Sequence, residues 1–174
     1  MRRLIATQFV SLDGYIDDPG KWTFPFWADE IGQYKNEELF AAEAQLLGRV
    51  TYEGFAAAWP TMPDTGAFGE RMNAMPKYVA TRTRTELEWN STPLTGDLVD
   101  AVTELKAQDG GDLLLAGSAQ VFRTVFAAGQ VDELRLLVHP VVLDGDVPLF
   151  TDTPRTVLSL TDSHTFSTGV VALS

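Results

Sequence analysis

Residues 112–122 read DLLLAGSAQVF, and the fold turns on how this stretch is read. Three leucines make an apolar run that halts at Ala116-Gly117-Ser118. Apolar residues return at Val121, Phe122 and Val125, a helical spacing. A buried strand that turns at a glycine into an amphipathic helix is the start of a strand–helix–strand unit. The turn itself admits two readings. Gly117-Ser118 either only packs strand against helix, or lets a ligand's phosphate approach the backbone where a helix N-terminus presents free N–H groups. The stretch is not G-x-G-x-x-G, so it is not the Rossmann dinucleotide fingerprint.

Working outward, the same alternation recurs. Residues 2–10 (RRLIATQFV) read as a buried strand, 27–44 as a helix, 44–49 as a short apolar strand, and 51–59 as a helix stopped before Pro60. Residues 77–82 form another strand. Residues 96–111 form an amphipathic helix ended by Gly110-Gly111, and 118–129 form a further helix. A long strand is expected over 132–143, and two more near 155–161 and 165–173. Strands alternating with helices predict an α/β fold, a mixed, mostly parallel sheet of about seven or eight strands flanked by helices. The closing strands lack intervening helices, which predicts an antiparallel edge. The 132–143 strand is long for an edge, so a second copy of the chain is expected to cover it.

Composition bounds the function. The 174 residues suit one domain, spanning 1–174, with 45% hydrophobic and 21% charged residues. A net charge of −11 argues against general nucleic-acid binding, which needs basic surface. It leaves room for a local cationic pocket. With no cysteine, thiol catalysis and Cys-ligated zinc are excluded, and no His or carboxylate spacing suggests a metal. Nothing approaches the ~20 apolar residues that span a bilayer, and no signal peptide is visible, so a cytoplasmic protein without a membrane partner is expected.

In open α/β sheets, ligands bind beyond the carboxyl ends of the strands. Four segments fall there. In LLGRVTYEGF (46–55), Gly48 permits close approach, Thr51 suits a helix cap and Arg49 adds a permanent charge. In VATRTRT (79–85), Thr81 and Arg82 pair a hydroxyl with a guanidinium. The third is Gly117-Ser118-Ala119, where Ser118 suits both an N-cap and a phosphate donor. The fourth is SLDGYIDD (11–18), either an ordinary Asp-Gly turn or a mobile loop over a reacting ring. Each alone is equally a turn, a cap or a solvated charge. Three of the four can bind an anion, and that convergence is the functional signal. The aromatic KWTFPFW (21–27) either walls a flat substrate or packs in the core, and His139 reads as structural. No nucleophile elbow suggests a hydrolase.

Taken in order, VSLDGYI, LLGRVTYEGFAAAWP, KYVATRT and LLLAGSAQVFRTVFAAGQVDELRLLVHPVVLDGDVPLF resemble the dihydrofolate reductase-like superfamily. Within it, the chain looks like stand-alone relatives of the C-terminal reductase domain of bacterial riboflavin biosynthesis. The resemblance runs over residues 2 to 171. It implies NADPH bound across the carboxyl edge of the sheet, a small-molecule substrate and a homodimer. Carried over by motif, Gly48, Arg49 and Thr51 would hold cofactor phosphates, and Thr81 and Arg82 the adenosine 2′-phosphate. Gly117, Ser118, Ala119 and Gln120 would cradle the pyrophosphate. Asp13 to Asp17, with Gly14 and Ile16, match the loop that closes over the nicotinamide. Dihydrofolate reductases have Gly-Gly with a cis peptide where this chain departs to Gly117-Ser118, so whether this peptide is cis is left open by the sequence.

The activity so implied is hydride transfer from NADPH to a pyrimidine- or pterin-like heterocycle, as in the (phosphoribosylamino)uracil reductases, with Asp13, Asp17 or water as proton source. The alternative is a non-catalytic or weakly active nucleotide-binding dimer on the same fold.

Overall fold

A computed structural model describes residues 1–174. The chain forms β1 (Leu4–Ser11), α1 (Asp29–Ala41), β2 (Ala44–Gly48), α2 (Arg49–Ala58), α3 (Gly66–Ala74), β3 (Lys77–Ala80) and β4 (Ser91–Leu94). It continues with α4 (Leu98–Ala107), β5 (Leu113–Leu115), α5 (Ala119–Ala127), β6 (Glu133–His139), β7 (Ser163–Thr165) and β8 (Val171–Leu173). The strands make one sheet in the order β4-β3-β2-β5-β1-β6-β8-β7. The first six run parallel; β8 is antiparallel to both β6 and β7. This is the α/β, mostly parallel architecture expected, with its antiparallel edge. No helix is long and apolar enough to cross a membrane.

Both faces of the sheet are covered, which is why its strands read as unbroken apolar runs. Leu4, Ala6 and Val10 of β1, with Leu113 and Leu115 of β5, pack on Val102 and Leu105 of α4 and on Val121, Phe122 and Val125 of α5. The residues between them face the other way. Ile5 and Leu114 meet Leu39 of α1 and Met72 of α3, and Leu137 of β6 meets Ile31 of α1. About 25 cal/mol for each Å² of apolar surface buried makes this double-sided core the main stabilising term.

Several boundaries differ from expectation, each for a local reason. β6 stops at His139 because Pro140 has no N–H to give. It also lies inside the sheet, between β1 and β8, so its supposed open edge does not exist. β4 was unforeseen: STPL carries Pro93, tolerable only because β4 is an outer strand. α3 was hidden by its glycines. The strand expected over 165–173 is a hairpin, turned at Gly169 (φ 84°) between β7 and β8. The strand expected near 155–161 does not form: of these residues only Thr161 bonds to another segment, donating its N–H to the Ser174 carbonyl.

Candidate cofactor and substrate site

Because six strands are parallel, their carboxyl ends share one edge, and the sheet order places the ends of β3, β2, β5, β1 and β6 side by side there. The ends of β2 and β5 interlock. Gly48 N–H donates to the Gly117 carbonyl at 3.0 Å. A Cβ on Gly48 would run into the Ser118 hydroxyl, with Ser118 Cβ at 2.9 Å and its backbone N at 3.0 Å. Gly117 has φ 120°, and a Cβ there would lie 2.9 Å from Thr51 Oγ1. Glycine is thus required twice, by packing at Gly48 and by both packing and backbone at Gly117. The Gly117–Ser118 peptide, left open by the sequence, is cis.

Two helices start from this junction. α2 begins at Arg49, so Gly48 holds the cap position and Thr51 sits inside the first turn; Thr51 is not the cap. α5 begins at Ala119 with Ser118 at its cap position, but the Ser118 hydroxyl makes no capping bond. Neither helix has a side-chain cap. α4, starting at the same edge, shows the contrast: Asp97 accepts from the N–H groups of Val99 (2.9 Å) and Asp100 (3.1 Å). The open N-termini of α2 and α5 keep donors and positive dipole ends available to an anion. Gln120 is exposed in the first turn of α5.

Three guanidiniums stand along the same edge. Arg49 donates to Glu53 Oε2 at 2.8 Å, one turn on in α2. The other oxygen of Glu53 lies 3.0 Å from Arg84 Nη2. Arg82 is exposed and makes no ion pair. Thr81 is buried at the end of β3, its hydroxyl oxygen accepting from the N–H of Arg84 at 3.1 Å and, more weakly, of Thr83 at 3.4 Å. Arg84 and Glu53 were not foreseen. The Arg49–Glu53 spacing of four was a readable signal for Glu53; only the turn after β3 brings Arg84 to the pair.

Beyond β1 the picture reverses. Asp13 accepts from the Ser11 hydroxyl (2.6 Å) and from the N–H groups of Leu143 (3.1 Å) and Asp144 (2.9 Å). The Ser11 hydroxyl, then those backbone donors, outweigh desolvation and hold the Asp13 carboxyl down at about 2. Asp17 accepts from Asp146 N–H (2.9 Å) and Val147 N–H (2.9 Å). Between them, Gly14 (φ 90°) accepts from Leu149 N–H at 2.8 Å, and Ile16 N–H donates to Val147 at 2.9 Å. The 11–18 loop is therefore sewn to residues 141–149.

The aromatic stretch divides. Trp22 donates to the Asp17 carbonyl at 2.5 Å and sets its ring edge-on to His139 at 5.1 Å; Phe26 does so at 5.8 Å. His139 is buried, Nδ1 2.8 Å from the Leu137 carbonyl, and burial pushes its pKa down. It is structural. Phe24 (72% exposed) and Trp27 (46%) remain open to solvent on the excursion between β1 and α1. Leu12, just past β1, and Val50, in the first turn of α2, are exposed.

The chain is similar to known proteins. The uncharacterized protein YyaP of Bacillus subtilis (strain 168) is 30% identical over 99% of this chain and 93% of its own. YwjB of the same organism, also uncharacterized, is 26% identical over 97% and 95%. Among solved structures, a Shewanella sp. PV-4 protein named for riboflavin biosynthesis superposes with a TM-score of 0.80 at 20% identity, over 98% of this chain and 96% of that one. Dihydrofolate reductase from Enterococcus faecalis, complexed with NADP(H), gives 0.66 at 17% identity, over 98% and 93%. A pyrimidine reductase-like protein from Corynebacterium diphtheriae gives 0.66 at 14%, over 99% and 90%. These solved structures share the fold of this chain. The sequence matches the RibD C-terminal domain over residues 2–172, and the chain belongs to that family.

Proposed function

We propose that the protein is an NADPH-dependent oxidoreductase acting on a small, flat, pyrimidine- or pterin-like heterocycle. The observation that carries this is the meeting of two uncapped helix N-termini with three guanidiniums at one sheet edge. A dinucleotide with three phosphates matches that donor set. Bound there, the nicotinamide supplies the hydride.

The chain's own residues bind and orient. Gly48 and Gly117 let backbone come close, and Ser118, Ala119 and Gln120 at the start of α5 offer N–H groups to the pyrophosphate. Arg49 and Thr51 serve the phosphates from α2. Thr81, Arg82 and Arg84 face the adenosine end. Glu53 already occupies the fork between Arg49 and Arg84, so a phosphate taking that place must displace its carboxylate. The loop with Gly14 and Ile16 covers the reacting face, while Phe24 and Trp27 offer rings to a flat substrate. Asp13, held ionised far below neutrality, has no proton to give at pH 7, and both oxygens of Asp17 are engaged. Water is then the proton source.

The lack of a free acid also favours a second reading, a nucleotide-binding protein of weak or no activity. Titration with NADPH and with NADH, followed by nicotinamide fluorescence, tests the first step. Saturable NADPH binding is expected; no binding of either nucleotide at sub-millimolar concentration overturns both readings. Binding without reduction of any pterin, pyrimidine or quinone favours the second. We infer also that the working protein is a homodimer.

A further inference from the structure

We propose that residues 154–160 form an intersubunit strand, pairing antiparallel with the same residues of a second copy; this rests on the proposed homodimer and names its interface. The segment PRTVLSL, which forms no helix, turn or bend, leads into β7, an edge strand of the sheet. Its root is fixed: Thr161 N–H donates to the Ser174 carbonyl at 2.8 Å, and Ser174 N–H to Asp162 at 2.9 Å. Before that root, no backbone N–H from Arg155 to Leu160 donates to any group of the chain. Val157 is 85% exposed, Leu158 57% and Leu160 66%. Three aliphatic side chains and six open N–H groups on one stretch make a template for another strand.

A second copy is the occupant that the charges favour. The chain carries −11, so two copies repel over most of their surface. Arg155 is the only charged residue between Asp152 and Asp162, which makes the arm a cationic segment of an acidic protein. Beside its root lies a cleft lined by Glu37, Glu38, Ala41, Glu133 and Asp162, with Arg135 as its one cation. Antiparallel arms carry each Arg155 toward the partner's cleft. Such a pairing is closed by a two-fold axis and leaves no free copy of the surface. Two seven-residue arms alone fall short of the roughly 1,200 Å² of a standard interface. Phe40 of α1, 48% exposed next to Ala41 of the cleft, extends the apolar landing for the partner's arm.

The test uses the full chain. Light scattering at micromolar concentration is expected to give twice the 19.1 kDa chain mass, and the double variant Leu158→Asp/Leu160→Asp the mass of one chain. Circular dichroism of that variant should remain that of a folded α/β protein, because neither side chain packs in the core. The chain has no cysteine, so Leu158→Cys adds a single thiol. Mild oxidation should link it to its symmetry mate much faster than Asp109→Cys, an exposed control on another surface. A monomeric wild type overturns the homodimer and the arm together. A dimeric wild type whose Asp variant stays dimeric, or whose Leu158→Cys links no faster than the control, overturns the arm alone.

Discussion

The carboxyl edge of the sheet has two halves built on opposite terms. Around the ends of β2, β3 and β5, α2 and α5 start uncapped and Arg82 lacks a partner. The Arg49 and Arg84 pairs with Glu53 are exposed, the kind that contributes little to stability. Around the ends of β1 and β6, the carboxylates of Asp13 and Asp17 meet donor after donor from residues 143–147. One half keeps polar groups in reserve, and the other has used them. Groups satisfied internally hold the fold, whereas groups held loosely at a shared edge are free to exchange their partner for a ligand.

The comparison breaks most sharply at the junction of β2 and β5. Gly48→Ala pushes a methyl into Ser118, whose backbone N lies 3.0 Å away and cannot step aside as a flexible side chain would. Overpacking of this kind costs ~1–3 kcal/mol, a fall in Tm of roughly 2–12 °C for a chain of this length. NADPH binding should fall below detection. Gly20→Ala, with nothing within 4 Å and no positive φ, is the matched control and should change neither quantity.

A second test separates the guanidiniums. Losing a charge-assisted hydrogen bond costs ~1.5–3 kcal/mol, so Arg49→Ala or Arg84→Ala should weaken NADPH roughly tenfold to hundredfold. NADH, lacking the 2′-phosphate, should change little with Arg84→Ala. Glu53→Gln should tighten NADPH several-fold by removing the competing carboxylate, and added salt should shrink that gain. If Glu53→Gln weakens NADPH instead, Glu53 organises the arginines rather than competing for them.

Sequence patterning disclosed most of this edge and misassigned some of its duties. The apolar runs at 4–11, 44–48 and 113–115 showed their strands because burial on both faces removes any alternation. The glycines at 48 and 117 were legible as places of close approach. Arg84 was not, because its position depends on how the turn after β3 folds around the Thr81 hydroxyl. Nor could spacing show that Asp13 and Asp17 are saturated, since their donors lie about 130 residues away. The strand expected near 155–161 does not form within the chain, because local sequence does not report whether a run finds a partner strand to pair with.

The sewn half is tested by Asp17. If its carboxyl delivered the proton, Asp17→Asn would abolish turnover. As an acceptor for Asp146 and Val147 it should tolerate Asn, which keeps one oxygen facing those N–H groups. Turnover of Asp17→Asn should then stay within about tenfold of wild type, with Asp17→Ala lower in both Tm and kcat.

The smallest effect is expected at Asp13, and its sign is fixed. Folding lowers the Asp13 pKa from an ordinary carboxylate value near 3.8 to about 2. The unfolded chain therefore binds the extra proton first as acid is added. The stabilisation from ionised Asp13 is complete above the unfolded value and is lost as pH falls from about 4 to about 2. Asp13→Asn cannot lose it, because Asn does not titrate. The Tm gap between wild type and Asp13→Asn should be constant from neutrality down to about pH 5 and close as pH approaches about 2. The carboxyl is solvent-exposed, so salt should narrow the gap at every pH. A gap that ignores pH would mean that the Ser11 hydroxyl and the 143–144 N–H groups hold the amide as well as the ionised acid. The loop would then be fastened by shape rather than by charge.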